Sequence, residues 1–160
     1  MEKSTREYLE VAQQDSDRVT RLTIPPPLPE AVHSFYELFA IKGIRLENFQ
    51  PGFISYCFIV PPRLTDRNGN LAVGAVATIV DKIGASVLYR KVGRRMHVSV
   101  DMSISYLSTA KLNDELEITT KLIGIKGSYK GILVVLKNKS TGEIIAEGRH
   151  SLFALPSSKI

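Results

Sequence analysis

The chain holds a single cysteine, Cys57, among its 160 residues. No internal disulfide can form, and this usage fits a reducing compartment, so an intracellular, cytoplasmic protein is expected. Cys57 sits in the strand-like run SYCFIV, where a lone cysteine reads as a small buried hydrophobe rather than a nucleophile. No dense Lys/Arg block interleaved with aromatics is present, which argues against nucleic acid as partner. No glycine-rich phosphate loop is present either, because Gly69 to Gly74 lacks the lysine and the preceding strand. His33, His97 and His150 have no metal-ligand spacing with one another or with Cys57, so neither a metal nor a cofactor is expected. The first residues lack an apolar core segment and carry Glu2, Glu7, Glu10 and Asp15, which excludes a secretory signal and argues against a transit peptide.

What is present is ordinary for a globular domain with a real core: 44% hydrophobic and 23% charged residues. The net charge of +5 is a mild excess that suits an anionic ligand such as a nucleotide phosphate, or solubility alone. The last three residues, Ser158-Lys159-Ile160, resemble the peroxisomal Ser-Lys-Leu signal with its final residue changed.

The most informative segment is LAVGAVATIVDKIGASVLY, residues 71–89. It is near transmembrane length, but Asp81 and Lys82 at its centre and two glycines favour a buried helix over a membrane span. An ionised carboxylate left unpaired in a dry interior is strongly unfavourable. Asp81 is therefore neutralised by partners, exposed at a cleft, or placed there for chemistry.

Around this segment the chain reads as follows. Residues 1–28 look like an N-terminal extension, with a short helix around Thr5–Gln14 and a stiff proline connector, IPPPLPE. The remainder, 29–160, reads as one domain. It opens with a helix from Pro29-Glu30 to about Ala40. Two strands follow in 44–60, joined at Pro51-Gly52. A loop over 61–69 leads into the long helix, expected over about 71–91 and ended by Gly93, Arg94 and Arg95. From His97 to Leu107 the period is two: Val98, Val100, Met102, Ile104 and Tyr106 on one side, Ser99, Asp101, Ser103 and Ser105 on the other. Further strands are expected near 116–122, 129–137 and 143–154, with tight turns at Gly127-Ser128 and Ser140-Thr141-Gly142. Consecutive hairpins imply an antiparallel sheet, and an apolar helix must be covered on most sides.

The stretches GNLAVGAVATIVDKIG (69–84), VSVDMSISYLSTAKLNDELEI (98–118) and STGEIIAEGRH (140–150), within that plan, resemble the hotdog-fold thioesterases. The similar branch includes the phenylacetate-pathway thioesterases and acyl-CoA thioesterase thirteen. The resemblance covers roughly residues 45–155. It implies an α+β hotdog fold, with an antiparallel β-sheet wrapped around the long central helix. It also implies hydrolysis of an acyl-CoA thioester, fatty acyl or aryl-acetyl, to free acid and CoA. Homodimers pairing into a homotetramer are implied too, with sites between subunits and the carboxylate helix and the Ser-bearing strand coming from different chains.

Residue by residue, Asp81 falls on the family's carboxylate, Gly74 on the second glycine of its His-Gly-Gly motif, and Ser99 on its strand serine. Ala72, Val73 and Asp66 depart from the motif's His, first Gly and loop Asn. The implied chemistry has Asp81 activating water or attacking the carbonyl. Ser99 orients water or base, and the N–H of Val73 at the helix start holds the thioester oxygen. Asp66 beside Asp81 would raise at least one of the two pKa values. Each residue has a plainer reading: interface pairing for Asp81, a solvent-facing serine for Ser99, helix packing for Val73 and a turn residue for Asp66. Lys126, Lys130 and Arg149, on or near hairpins, are candidates for the CoA phosphates, against plain solvation. The changed Ala72-Val73 pair also keeps open a non-catalytic acyl-CoA-binding or interaction module. A hotdog dehydratase ranks last, because no histidine sits where the loop meets the helix. Acyl length and thiol carrier are open.

Overall fold

The computed structural model describes residues 10–24, 26, 33–88 and 96–155. Two compact units are present, Met1–Phe35 and Tyr36–Ile160. In the first, helix α1 spans Gln13–Thr20 and buries no residue. It is held by exposed local contacts, Gln13 to Asp17 at 2.7 Å and Arg18 to Asp15 at 3.3 Å. The helix expected around Thr5–Gln14 thus lies further along the chain in its described part, and residues 1–9 fall outside the described residues.

Helix α2 is Phe35–Ile41, shorter than expected; Pro29 and Glu30 lie outside the described residues. Its C-terminal carbonyls are met by Arg63, whose Nε donates to Phe39 O at 2.6 Å and whose terminal nitrogen donates to Lys42 O. The guanidinium also sits 5.9 Å from the Phe39 ring centroid, within reach of a cation–π contact.

The strands are β1 (Arg45–Gln50), β2 (Phe53–Ile59), β3 (His97–Tyr106), β4 (Glu115–Lys126), β5 (Tyr129–Asn138) and β6 (Ile144–Ala154). They form one antiparallel sheet in the order β1-β2-β4-β5-β6-β3. Pro51-Gly52 makes the first turn, with Gly52 at φ +80°, where a side chain would be strained.

Helix α3 is Val73–Ser86, not 71–91. Its start is delayed because the two preceding residues bind extended neighbours: Leu71 N–H donates to Ala110 O (2.8 Å) and Ala72 N–H to Leu64 O (2.9 Å). At its far end Ser86 turns its hydroxyl back to Ile83 O (2.5 Å) and accepts from Tyr56 (2.8 Å). Lys91, Gly93, Arg94 and Arg95 lie outside the described residues. The buried positions Ala75, Val76, Ile79, Val80, Ile83 and Gly84 form one stripe at helical spacing. That stripe packs on Ile118, Ile132, Val134, Leu136 and Ala146 of the sheet. Fully burying a side chain such as Ile79 or Val80 is worth roughly 1.5–3 kcal/mol. The hotdog arrangement, a sheet around a main helix, is therefore the observed fold.

Two glycines set how closely helix and sheet approach. A Cβ on Gly148 of β6 would lie 2.5 Å from Val80 Cγ1. One on Gly84 would lie 3.1 Å from Val134 Cγ2 and 3.3 Å from His150 Nδ1.

The period of two along β3 is broken. Ser99 stands opposite Leu152 and Asp101 opposite Ser151, so Val100 is an extra residue. Residues directly opposite in an antiparallel pair share a face. Ser99 therefore shares the helix-side face with Met102, Ile104 and Tyr106, whose partners are His150, Gly148 and Ala146. It does not share the face of Ser103 and Ser105, as strict alternation predicts. The half-buried strand expected there is also largely exposed in the protomer, with Val98, Val100, Met102 and Tyr106 open along the sheet edge.

Candidate active site

Asp81 projects from the middle of α3, next to the sheet's β6–β3 edge. Its Oδ1 accepts a hydrogen bond from Ser99 Oγ at 3.0 Å. The same hydroxyl lies 2.9 Å from His150 Nε2, and that nitrogen lies 3.6 Å from Asp81 Oδ1. Asp81 keeps 30% of its side chain exposed, whereas that of His150 is fully buried. The carboxylate is thus open to a water or substrate on one side and anchored on the other.

Burial pushes the His150 pKa below its ordinary value, partly offset by Asp81 and Asp101, so the ring is neutral at pH 7. Its Nδ1 faces the backbone of Gly84 and has no hydrogen-bond partner among the described residues. An N–H stranded there would cost more than a bare lone pair. The proton is therefore assigned to Nε2, which donates to Ser99 Oγ, and Ser99 donates to Asp81. The result is a directed relay, His150 to Ser99 to Asp81. It stabilises the carboxylate and fixes its rotamer.

The resemblance implied that the carboxylate and the serine come from different chains. The structure corrects this: both lie in one protomer, because the bulge at Val100 turns Ser99 toward α3. His150 belongs to the constellation although its spacing gave no reason to single it out. A signal was present. Ala146, Gly148, His150, Leu152 and Ala154 form the buried register of β6, and a histidine in a core slot of a strand needs a polar partner.

Lys82 adds a cation, its Nζ 3.3 Å from Asp81 Oδ2 and 2.6 Å from Glu37 of α2. Tyr36 of α2 also reaches α3, with its hydroxyl 2.9 Å from Thr78 Oγ1.

At the N-terminal end of α3, Val73 is the first helical residue and 66% exposed. Ala72 offers no side-chain cap. Among the described residues the N–H groups of Val73 and Gly74 have no hydrogen-bond partner. Tyr106 of β3 donates to Val73 O at 3.4 Å. Beside Val73 a cavity of about 310 Å³ is lined by Leu71, Val76, Tyr106, Leu107, Ala110 and Ile145, among others. It is mainly apolar, with Ser108 and Thr109 as polar members and the first helical residue, Val73, on its wall. Gly74 is exposed, and among the described residues nothing lies within 4 Å of where its side chain would be.

Asp66 organises the loop before α3. Its Oδ1 accepts from Asn68 N (2.8 Å) and Asn70 N (2.9 Å), a typical Asx turn. The Asn70 backbone bond, above all, holds its pKa below the ordinary value. The raised value expected from a pair with Asp81 is not what Asp66 shows; its electrostatic neighbours are Asn70, Asn68 and Lys111.

Lys126 and Lys130 line a shallow groove of about 380 Å³ at the β4–β5 hairpin, with Tyr129 and Ser151. Lys130 is buried there, its Nζ 3.5 Å from Ser128 O. Arg149 is not among the lining residues and contacts Glu147 at 3.6 Å. Cys57 is buried and burial raises its thiol pKa. Glu47, Cys57 and Glu115 converge, but the Lys139 ammonium already sits on both carboxylates, at 2.7 and 3.0 Å.

Among the described residues, no helix is long and apolar enough to cross a membrane. Residues 68–145 match the family described as Thioesterase superfamily. Acyl-coenzyme A thioesterase 13 of Homo sapiens is 36% identical over 108 residues, which are 68% of this chain and 77% of that protein. Among solved structures, thioesterase superfamily member 2 from Mus musculus is 33% identical with a TM-score of 0.66, covering 71% of this chain and 83% of its own. The zebrafish member 2 is 25% identical with a TM-score of 0.70, covering 91% and 100%. On the strength of both sequence and fold, this chain belongs to the thioesterase superfamily.

Proposed function

We propose that the protein hydrolyses acyl-CoA thioesters with Asp81 as its base or nucleophile. The observation that carries this is the relay His150–Ser99–Asp81. It holds one carboxylate oxygen while the group as a whole remains accessible. Asp81 takes the proton of an attacking water, or attacks the carbonyl itself and is freed by water in a second step. The thiolate leaves as CoA after taking up the proton that Asp81 removed from water, or one from solvent on the covalent route. The developing oxyanion meets the unpaired N–H groups at the start of α3, where the helix dipole also favours negative charge.

Val73 and Asp81 are separated by eight positions on one helix, about 12 Å along its axis. No single carbonyl can touch both. The site is therefore completed by a second copy, whose helix N-terminus faces Asp81 of the first. The open apolar edge of β3, with Val98, Val100, Met102 and Tyr106, supports that pairing, since an uncovered edge strand seeks a partner. Two such dimers pair into a tetramer. The apolar cavity beside Val73 suits a fatty acyl or aryl-acetyl chain. Lys126 and Lys130 at their groove supply charge for the CoA phosphates. The compartment we assign is the cytoplasm, which the single free cysteine, Cys57, fits.

The test is release of free CoA from acetyl-, octanoyl-, palmitoyl- and phenylacetyl-CoA by wild type and Asp81→Asn. Loss of turnover by roughly 10²–10⁴ in the variant is expected. Undiminished turnover would remove Asp81 from the chemistry. Thioester binding without turnover by wild type would favour the binding-module reading.

A further inference from the structure

Lys82, next to Asp81 on α3, is held by two carboxylates at once. Neighbouring positions on a helix point about 100° apart and do not normally face each other. Yet the Lys82 ammonium reaches back to 3.3 Å from Asp81 Oδ2, while Glu37 on α2 holds it at 2.6 Å. Asp81 Oδ1 is taken by Ser99, so Oδ2 is the oxygen left for water. Lys82 sits beside that oxygen.

We propose that Lys82 is a positioning residue for Asp81, and that Glu37 of helix α2 sets how closely its ammonium approaches the reacting carboxylate oxygen. This rests on the reading of Asp81 as base or nucleophile. Glu37 and Asp81 compete for one cation, and the shorter contact is to Glu37. With Glu37 present, the ammonium is drawn off Oδ2 far enough for a water to bind there. The Lys82 pKa is raised, first by its hydrogen bond to Glu37, which fits a cation held chiefly by α2. Among the described residues, the other titratable side chain in contact with Asp81 is His150 of β6, neutral at pH 7, on which Asp101 of β3 also acts electrostatically. Helix α2 is thereby coupled to the chemistry through one side chain.

The two variants act with opposite sign. Lys82→Met keeps the aliphatic stem and removes the cation that favours negative charge at Oδ2. Glu37→Gln removes the competing carboxylate and releases Lys82 onto Oδ2, where its charge acts more strongly and blocks water. The experiment is the pH profile of kcat/KM on whichever of the four acyl-CoAs wild type cleaves fastest, with melting curves for each variant. The acid limb of Lys82→Met is expected roughly 0.5–1 pH unit above wild type, and that of Glu37→Gln below it. Lys82→Arg is expected to restore the wild-type limb. Limbs that do not move, or that move the same way in both variants, while Asp81→Asn is inactive, overturn the inference and leave the proposed function standing. An active Asp81→Asn overturns both. A merely structural role for Lys82 would lower melting temperature and activity without moving the limb.

Discussion

Gly148→Ala is the substitution that most directly couples this fold to its site. The added Cβ would lie 2.5 Å from Val80 Cγ1 and 3.0 Å from Cγ2. Val80 is fully buried and cannot swing away, so helix α3 must shift from β6 or the side chain must leave its rotamer. Overpacking of this kind costs roughly 1–3 kcal/mol. For a domain of this size each kcal/mol lowers Tm by about 2–4 °C, which gives a fall of roughly 2–12 °C. The effect is specific to one neighbour. Val80→Ala alone leaves a cavity and destabilises, but in the Gly148→Ala background it makes room for the new methyl. The double variant is expected to be more stable than the sum of the single effects by about 1–2 kcal/mol. Val80 adjoins Asp81 and Gly148 is two residues from His150, so a shift at this contact also strains the relay. Turnover of Gly148→Ala measured well below its Tm is expected to fall, and to recover in the double variant. Urea or thermal unfolding of the four proteins provides the cycle, and CoA release provides the activity. Additive single effects, or an unperturbed Gly148→Ala, would refute the packing argument.

Two further outcomes follow from the geometry. Val73→Pro removes one backbone N–H at a position where proline is well tolerated, because Val73 is the first helical residue and Ala72 already has φ −62° and ψ 138°. Melting temperature should be unchanged while kcat/KM falls roughly 10²–10³-fold; an equally active variant would show that this N–H does not hold the oxyanion. His150 has a depressed folded pKa, so below its unfolded value near pH 6.5 the unfolded chain binds more protons than the native one. Stability should thus be full above that pH and be lost as pH falls through the folded pKa. His150→Gln should lack that component in a calorimetric series from pH 5 to 8, and parallel curves would place the acid sensitivity elsewhere.

Much of the fold could be read from local pattern. Pro51-Gly52, the alternation of β4 and the turns after Lys126 and Asn138 are short-range signals, and the sheet follows them. Structure and local pattern diverge where a distant contact overrides the local signal. Leu71 and Ala72 continue the apolar run but are held extended by Ala110 and Leu64, so α3 begins at Val73. Val100 fits the alternation perfectly well, and only pairing with β6 shows that it is extra. Asp66 stands where the resemblance implies a site residue, but its near neighbours in sequence, Asn68 and Asn70, occupy it.

The sequence by itself determined that a carboxylate would sit in a buried helix against an antiparallel sheet, because burial of an apolar stripe and period-two alternation are properties of neighbouring residues. Tertiary structure alone decided which groups meet that carboxylate. Ser99 and His150 lie 18 and 69 positions from Asp81 in the chain. Strand order, a one-residue bulge and two glycines that let helix and sheet approach bring them to it, and no local pattern encodes a distance across a sheet.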